Sequence, residues 1–520
     1  MGDDREVELK LEVPARGLRG LERSAFLRRA RRQKNTELIS VYYDTDKQKL
    51  RKRGFSLRVR RIGDRHVQTI KRTGASNQIA LDREEWETEI GGDDPDLNAA
   101  RHTPLKSVLS KNTCRAMKPV FETRVLRTTY PMRTGSSEVE VSVDKGRIHA
   151  GKKSAAICEV ELELKRGHSL ELFRLAQRLA DDIPVEVALK SKSERGYELV
   201  DGDAPSPIKS VSASLSRKLT TEAAFKSVAR ACLHHLIANV PVLRAGNPEG
   251  LHQARVSLRR LRAAISLFSG ILHDGQTETI KRELKWLTGE LAPARELDVI
   301  IKKVVQAPNK PKHRNKGLAR LKDDFTSQRQ DAFKRAQSAF ATARYRALAL
   351  DLVTWMESGD WTRNDDDLRR ALRERPIAKT ASEQLSFRWK RILKRGKRLS
   401  SLSSQKRHKL RIAAKKLRYA SEFFASVFRR KANVRRQKRF IAGLKGLQDS
   451  LGDLNDIVAN EAVSARLAQQ TKPNQTSEDQ AGKAFSAGRL AGTEEARFAA
   501  VLKSAGKAYK TFSNTMPFWK

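Results

Sequence analysis

Between residues 6 and 165 the chain repeatedly alternates charged or polar side chains with apolar ones. The stretches are Glu6-Val7-Glu8-Leu9-Lys10-Leu11-Glu12, Phe55-Ser56-Leu57-Arg58-Val59-Arg60, Val67-Gln68-Thr69-Ile70-Lys71, Glu138-Val139-Glu140-Val141-Ser142-Val143-Asp144 and Glu159-Val160-Glu161-Leu162-Glu163-Leu164-Lys165. Successive side chains on a strand point to opposite faces, so each stretch presents one face of Val, Leu and Ile and one that is mostly charged. A single strand of this kind reads as a solvated sheet face. Several together, with their signs segregated, read differently. Acids occupy 6–12, 138–144 and 159–163, and bases occupy 58–60 and 71. If the strands curl around one interior, acids and bases converge from opposite walls. Such a lining is costly unless something pairs with it. Helical stretches are predicted around 19–32 and 169–180.

A metal-bound triphosphate supplies both missing partners. Carboxylates hold a hard divalent ion through oxygen, and Arg and Lys take phosphate oxygens by charge-assisted hydrogen bonds. With no histidine-based metal site in the pattern, Mg²⁺ or Mn²⁺ is expected rather than Zn²⁺. The three cysteines, Cys114, Cys158 and Cys232, lie far apart without metal-ligand spacing. They fit a reducing compartment. The opening MGDDREVELK has no signal-peptide pattern, and no apolar run is long enough to span a bilayer. A cytoplasmic location without membrane insertion is the expectation, with polyphosphate granules as a further place of association.

The ordered motifs of the first part resemble the CYTH domain of the triphosphate tunnel metalloenzymes. They begin with Glu6, Glu8 and Lys10 and continue through Tyr43-Asp44-Thr45, Arg58, Arg60, Lys71, Arg83, Glu85 and Glu87. Phe121 to Arg127, Asp144-Lys145-Gly146, Glu159, Glu161, Glu163 and Ser191 to Tyr197 complete the set. The resemblance implies an eight-stranded antiparallel β-barrel tunnel hydrolysing a triphosphate. By position it implies Glu6, Glu8, Asp144, Glu159 and Glu161 as metal and water-activating carboxylates, and Lys10, Arg58, Arg60, Lys71, Arg127 and Lys192 as the phosphate-binding wall. Arg124 and Lys190 compete with Arg127 and Lys192, and Glu85 and Glu87 are expected to orient the bases. Inorganic triphosphate, cleaved to pyrophosphate and phosphate, is the expected substrate. An adenylate cyclase or another organic triphosphatase using the same tunnel is the alternative. So is a non-catalytic polyphosphate-binding, granule-associated protein.

The segment Asp201-Gly202-Asp203-Ala204-Pro205-Ser206-Pro207 resists regular structure and reads as a linker. Beyond it the pattern becomes helical, with breaks expected around 306–313 and 351–375 and a polar loop at 470–490. Most of the net charge of +44 lies here, because residues 201–520 carry 64 Lys and Arg against 30 Asp and Glu. Such a field favours a polyanion. Two segments duplicate each other. His252, Arg255, Arg259, Arg260 and Arg262 parallel His408, Arg411, Lys415, Lys416 and Arg418. Offsets of 0, 3, 7 and 10 place a histidine and three cations on one helical face. Val256, Leu258, Leu261 and Ile265, or Leu410, Ile412, Leu417 and Tyr419, take the other side. Each basic segment is followed by a second matched piece, ending in Arg295 and Asp298 or in Asp453, Asn455 and Asp456. The acids are expected to pair with and position arginines. A repeat on this scale marks a duplicated helical unit.

This half resembles the CHAD domain, an all-helical module associated with polyphosphate binding. Its implied contacts are His252, Arg255, Arg259, Arg260, Arg262, His408, Arg411, Lys415, Lys416 and Arg418. One departure is Pro293-Ala294-Arg295-Glu296 in the first copy, which puts local helix geometry in question. Cys232, His234 and His235 are expected in a core. Aromatic residues total 6% and none interleave with the basic helices, so nucleic acid is not expected as the specific ligand. The expected architecture is α+β, with a tunnel domain over 1–203, a linker over 204–217 and a helical domain over 218–515. The helical pseudo-repeats are placed at about 218–345 and 376–515, and oligomeric state is left open.

Overall fold

A computed structural model describes residues 5–14, 17–28, 30, 35–72, 81–202, 204–306, 316–363, 366–429, 431–469 and 497–520. The expected breaks at 306–313 and 470–490 lie largely or wholly outside the described residues. The chain forms two compact units. One comprises Met1–Lys209, Leu233–Ala254 and Phe340–Asp360, and the other Ser210–Cys232, Arg255–Ala339 and Trp361–Lys520.

In the first unit the alternating stretches all become strands: β1 (Arg5–Glu12), β2 (Thr36–Asp44), β3 (Phe55–Ile62), β4 (Arg65–Arg72), β5 (Leu81–Ile90), β6 (Lys118–Thr134), β7 (Ser137–Ala150), β8 (Lys153–Arg166) and β9 (Glu186–Ala188). The α+β class holds, but the expected eight-stranded barrel is corrected. The strands form a nine-stranded antiparallel sheet in the order β5-β4-β3-β2-β6-β7-β8-β1-β9, with a further β5–β1 pairing. The reason lies in β1, which pairs β8 along one edge and divides the other. Arg5–Glu8 face β5, whereas Lys10–Glu12 face β9. The short return strand thus takes the stretch of backbone donors and acceptors that β5 does not reach. Unpaired buried backbone groups would each cost free energy comparable to a lost hydrogen bond.

Around β1, β7 and β8 both faces of the sheet are withdrawn from water. On the apolar face Leu9, Leu11, Val141, Val160 and Leu162 are fully buried. The helix Leu170–Asp182 packs on β1, β7 and β8 and brings Leu172, Leu175, Ala176 and Leu179 to this core. Each such Leu or Val contributes about 1.5–3 kcal/mol on burial, which offsets the cost of gathering charges on the opposite face. The β6–β7 hairpin turns through Gly135 at φ 58°, a left-handed conformation that a side chain disfavours.

The second unit is helical. Its helices include Gly275–Glu290, Ala292–Gln306, Lys316–Ala339, Ile377–Gly396 and Ser404–Phe423. Phe440, Phe512, Phe518 and Trp519 form one aromatic core, and Phe225, Phe268, Trp361 and Phe424 form another. The two repeats differ where Pro293 suggested. In the first, the chain breaks at Leu291 and a new helix starts at Ala292. In the second, Lys431–Gln469 runs unbroken through the matched piece. Proline has no N–H to give and is best tolerated in the first helical turn, which is where Pro293 sits. Among the described residues no helix is long and apolar enough to cross a membrane.

Candidate functional site

Strand register decides which charges meet. Arg127 lies opposite Asp144, Asp144 opposite Glu159, and Glu161 opposite Lys10. Across the other wall Tyr42 faces Arg58, Arg58 faces Thr69, and Lys71 faces Glu85. Of these, Lys10, Tyr42, Arg58, Thr69, Lys71, Glu85, Arg127 and Glu161 line a cavity of about 190 Å³, together with Glu8, Arg60, Glu87 and Lys192, while Asp144 and Glu159 lie beside Glu161.

Lys192 comes from outside the sheet. It is the first residue of the helix Lys192–Asp201, whose start is fixed by a capping box. The Ser191 hydroxyl accepts from the Glu194 N–H, and the Glu194 carboxylate accepts from the Ser191 N–H. Gly196 lets this helix approach β6, since a Cβ there would lie 2.1 Å from the Phe121 ring. The Tyr197 hydroxyl then donates to buried Asp44 at 2.9 Å, while Asp44 also accepts from the Thr45, Leu50 and Arg51 N–H groups. The end of β2 and the helix are thereby tied together.

Asp144, Glu159 and Glu161 are buried, and each offers an oxygen within 4.8 Å of the others. The Lys192 ammonium touches all three, at 2.7 Å from Asp144 and 2.9 Å from Glu161. Arg127 forks onto Asp144 with two 2.7 Å bonds and also reaches Glu161, which Lys10 contacts from the other side. Burial alone would raise the Glu161 carboxyl, but Lys10, Lys192 and Arg127 outweigh it and hold it well below the usual range. Asp144 is lowered in the same way by Lys192 and Arg127 against its burial. Burial would lower Lys10, and Glu161, Glu8 and Glu159 instead raise it. A buried, oxygen-only set already gathered around a cation fits a hard divalent ion. Of the carboxylates predicted from sequence, Glu8 lines the cavity but pairs with Lys10 at 3.0 Å. The side chain of Glu6 lies outside the described residues.

The opposite wall has surplus positive charge. Lys71 pairs with Glu85 at 2.9 Å, and Arg58 stands 3.6 and 3.9 Å from Glu85 and Glu87. Arg58 Nε is buried and has no hydrogen-bond partner among the described residues. Arg60 donates to the Ser40 hydroxyl at 3.2 Å. Burial, followed by repulsion from Arg58 and Arg127, pushes Arg60 down to about 10. Of the rivals, Arg124 pairs with Glu122 and Lys190 with Glu198, and neither lines the cavity.

In the helical half, Leu258, Leu261 and Ile265 of the helix Pro248–Leu267 are buried, while Arg259 and Arg262 are exposed. Arg260 is buried: it pairs with Glu422 at 2.6 Å and stacks on Phe423. In the helix Ser404–Phe423, Leu410, Leu417 and Tyr419 are buried. Ile412, placed by periodicity on the apolar side, is exposed.

Residues 4–197 match the CYTH domain and residues 227–465 match the CHAD domain. The chain is a CYTH domain followed by a CHAD domain. Over 198 residues it is 28% identical to the inorganic triphosphatase of Haemophilus influenzae, covering 37% of this chain and 54% of that protein. The chain thus spans about half the length of that relative. A CHAD domain structure from the plant Ricinus communis is 27% identical at a TM-score of 0.46, covering 57% of this chain and 96% of the plant chain. A putative adenylyl cyclase from Hippeastrum, described as having a dominant triphosphatase activity, is 17% identical at a TM-score of 0.30 over 37% of this chain and 95% of its own.

Within the CHAD domain Arg255 has a buried Nη1 without a hydrogen-bond partner among the described residues, and burial and Arg259 lower its pKa. Asp298 is bound by Arg329 at 2.5 Å, with Arg295 at 3.8 Å. In the second copy the His408 ring bonds Asn455 at 2.6 Å, and the Asp456 side chain lies outside the described residues. Arg418 lies 3.6 Å from Glu422 and over Tyr419. Cys232 and His235 are buried, and His235 is held by the Ile208 carbonyl and Gln253. In the CYTH domain, sequence reading passed over Tyr42, which lies opposite Arg58 on the neighbouring strand. Burial raises its pKa, but Arg58 and Arg60 bring it below the ordinary phenol value. Ser40 and Tyr42 share one face of β2 two residues apart, a period-two signal present in the sequence.

Proposed function

We propose that the CYTH cavity hydrolyses inorganic triphosphate to pyrophosphate and phosphate with Mg²⁺ or Mn²⁺, and that the CHAD domain binds long-chain polyphosphate. The observation that carries the first part is the opposition of a buried three-carboxylate cluster and an under-compensated wall of cations across one small cavity. The lining is charged or polar apart from the Tyr42 ring, which offers a nucleoside or thiazole little apolar surface. The similarity to a bacterial inorganic triphosphatase supports the same substrate.

Asp144, Glu159 and Glu161 would hold the ion, which when bound supplies charge neutralisation and lowers the pKa of attached water. Arg58, Arg60 and Arg127 grip the equatorial phosphate oxygens, and Lys10, Lys71 and Lys192 add charge where the leaving phosphate becomes more negative. A carboxylate of the cluster freed from Lys192 is placed to accept the proton of attacking water, with Glu8 beside it. Polyphosphate binding falls to Arg255, Arg259, Arg262, His408, Arg411, Lys415, Lys416 and Arg418, with His252 on the same helix. Buried Arg260 supports the helix from behind. A tethered polyanion site raises the local concentration of phosphate chains near the cavity.

A panel of triphosphate, ATP, thiamine triphosphate and polyphosphate, each with and without Mg²⁺ or Mn²⁺, tests this proposal. Phosphate release is expected to be fastest from triphosphate, to need metal, and to drop about 10²–10³-fold in Glu161→Gln. Preferential turnover of ATP, or release untouched by that substitution, overturns it.

A further inference from the structure

A second cavity, of about 470 Å³, lies within the helical unit between the helices Ile377–Gly396 and Ser404–Phe423, beside Ser266 and Ser269. One wall carries Arg388, Arg391 and Arg395, and the other carries Lys409 and Lys416. Spacings of three, four and seven put each set on a single helical face. No carboxylate lines this cavity, and none of the five cations forms an ion pair among the described residues. Burial and Arg391 push Arg388 down to about 10, and burial with Arg388 and Arg391 also lowers Lys416. Arg388, Arg391 and Lys416 repel one another, and an anion with several charges would relieve that repulsion along both walls.

The same cavity exposes apolar surface. Phe387 is 61% exposed and Ile412 is 41% exposed, although both are large hydrophobic residues. Neither serves a bare phosphate chain. An exposed aromatic face beside phosphate-holding cations suits a base, which stacks on any π-surface. The volume falls within the ~300–1,000 Å³ range of small-molecule sites. Gln384, Ser266 and Ser269 add hydrogen-bonding groups at the wall.

We propose that this cavity binds a nucleoside polyphosphate, its phosphates on Arg388, Arg391, Arg395, Lys409 and Lys416 and its base on Phe387. The site goes beyond the reaction proposed for the CYTH cavity and does not depend on it. It lies about 100° around the second basic helix from His408, Arg411 and Lys415, and Lys416, also assigned above to polyphosphate, is shared between the two surfaces.

The test is calorimetric titration of the full chain with ATP and with tripolyphosphate in metal-free buffer, in an Arg60→Glu background that disables the CYTH cavity. ATP is expected to bind more tightly than tripolyphosphate. Phe387→Ala should weaken ATP about tenfold and leave tripolyphosphate unchanged. Arg391→Glu with Arg395→Glu should weaken both at least about tenfold. If the reversed pair loses helical circular dichroism, Arg391→Gln with Arg395→Gln replaces it. ATP affinity unchanged in the charge variants removes the site. Equal affinity for the two ligands, insensitive to Phe387→Ala, removes the nucleoside from the proposal.

Discussion

Arg60 is the sharpest place to set stability against function. It lines the CYTH cavity without a carboxylate ion pair among the described residues, and Arg58 and Arg127 repel it. Its fall from the ordinary guanidinium range to about 10 corresponds to about 3 kcal/mol at 1.36 kcal/mol per pKa unit. Arg60 is only half-buried, so solvent screening leaves about 1–2 kcal/mol. Because the folded state holds this proton less tightly than the unfolded chain, the cost is present in full below pH 10 and is relieved as pH rises above it towards the ordinary guanidinium range. Arg60→Gln removes the charge but keeps a donor for Ser40. The ligand-free CYTH transition should then rise by about 2–6 °C. The same change removes a charged hydrogen bond to phosphate, worth about 1.5–3 kcal/mol, so KM for triphosphate should rise about 10–100-fold. Differential scanning fluorimetry with and without tripolyphosphate, combined with phosphate-release kinetics, reads both effects. Added tripolyphosphate should raise the CYTH transition of the parent more than that of the variant. A variant that melts lower without ligand, or keeps its KM, refutes the claim that this wall stores repulsion for an anion to relieve.

The carboxylates give the opposite pH behaviour. Asp144 and Glu161 are lowered on folding, so their contribution is present above the usual carboxylate range and is lost as pH falls through their folded values. The melting temperature of Asp144→Asn measured from pH 7 to pH 3 should therefore lose less on acidification than that of the parent, and parallel curves would count against this. Gly196→Ala drives a methyl into the Phe121 ring and displaces the helix that presents Lys192. Turnover should fall about tenfold or more, with far-ultraviolet circular dichroism unchanged; full activity would show that Lys192 tolerates the shift. In the CHAD domain Arg260→Ala leaves Glu422 without its 2.6 Å partner and should cost about 2–3 kcal/mol by denaturant titration. Arg259→Glu with Arg411→Glu should instead leave the melting temperature near the parent's and flatten the salt dependence of polyphosphate retention. The reverse assignment of these two effects would exchange the structural and ligand-facing sides of the helix.

Much of the CYTH site was legible because a strand has a period of two. Glu8, Lys10, Arg58, Lys71, Glu159 and Glu161 each fall on the charged side of an alternating run, and all six line the cavity or its acidic cluster. Lys192 gives no such signal, since it opens a helix and reaches the acids only through the Ser191 cap and the close approach at Gly196. Arg260 shows the opposite difficulty. It lies within a run of cations, yet one residue further around the helix is enough to turn its guanidinium onto Glu422 and Phe423.

By itself the sequence determined the alternation of strands, the duplication of a basic helix and the sign of the charge on each element, since these depend only on local periodicity and composition. Tertiary structure decided how many strands share the sheet, because β9 takes the part of the β1 edge that β5 leaves unpaired. It also decided which charges compensate one another. Ion pairing depends on strand register and burial across separations as long as the 151 residues between Lys10 and Glu161, and no local pattern encodes that distance.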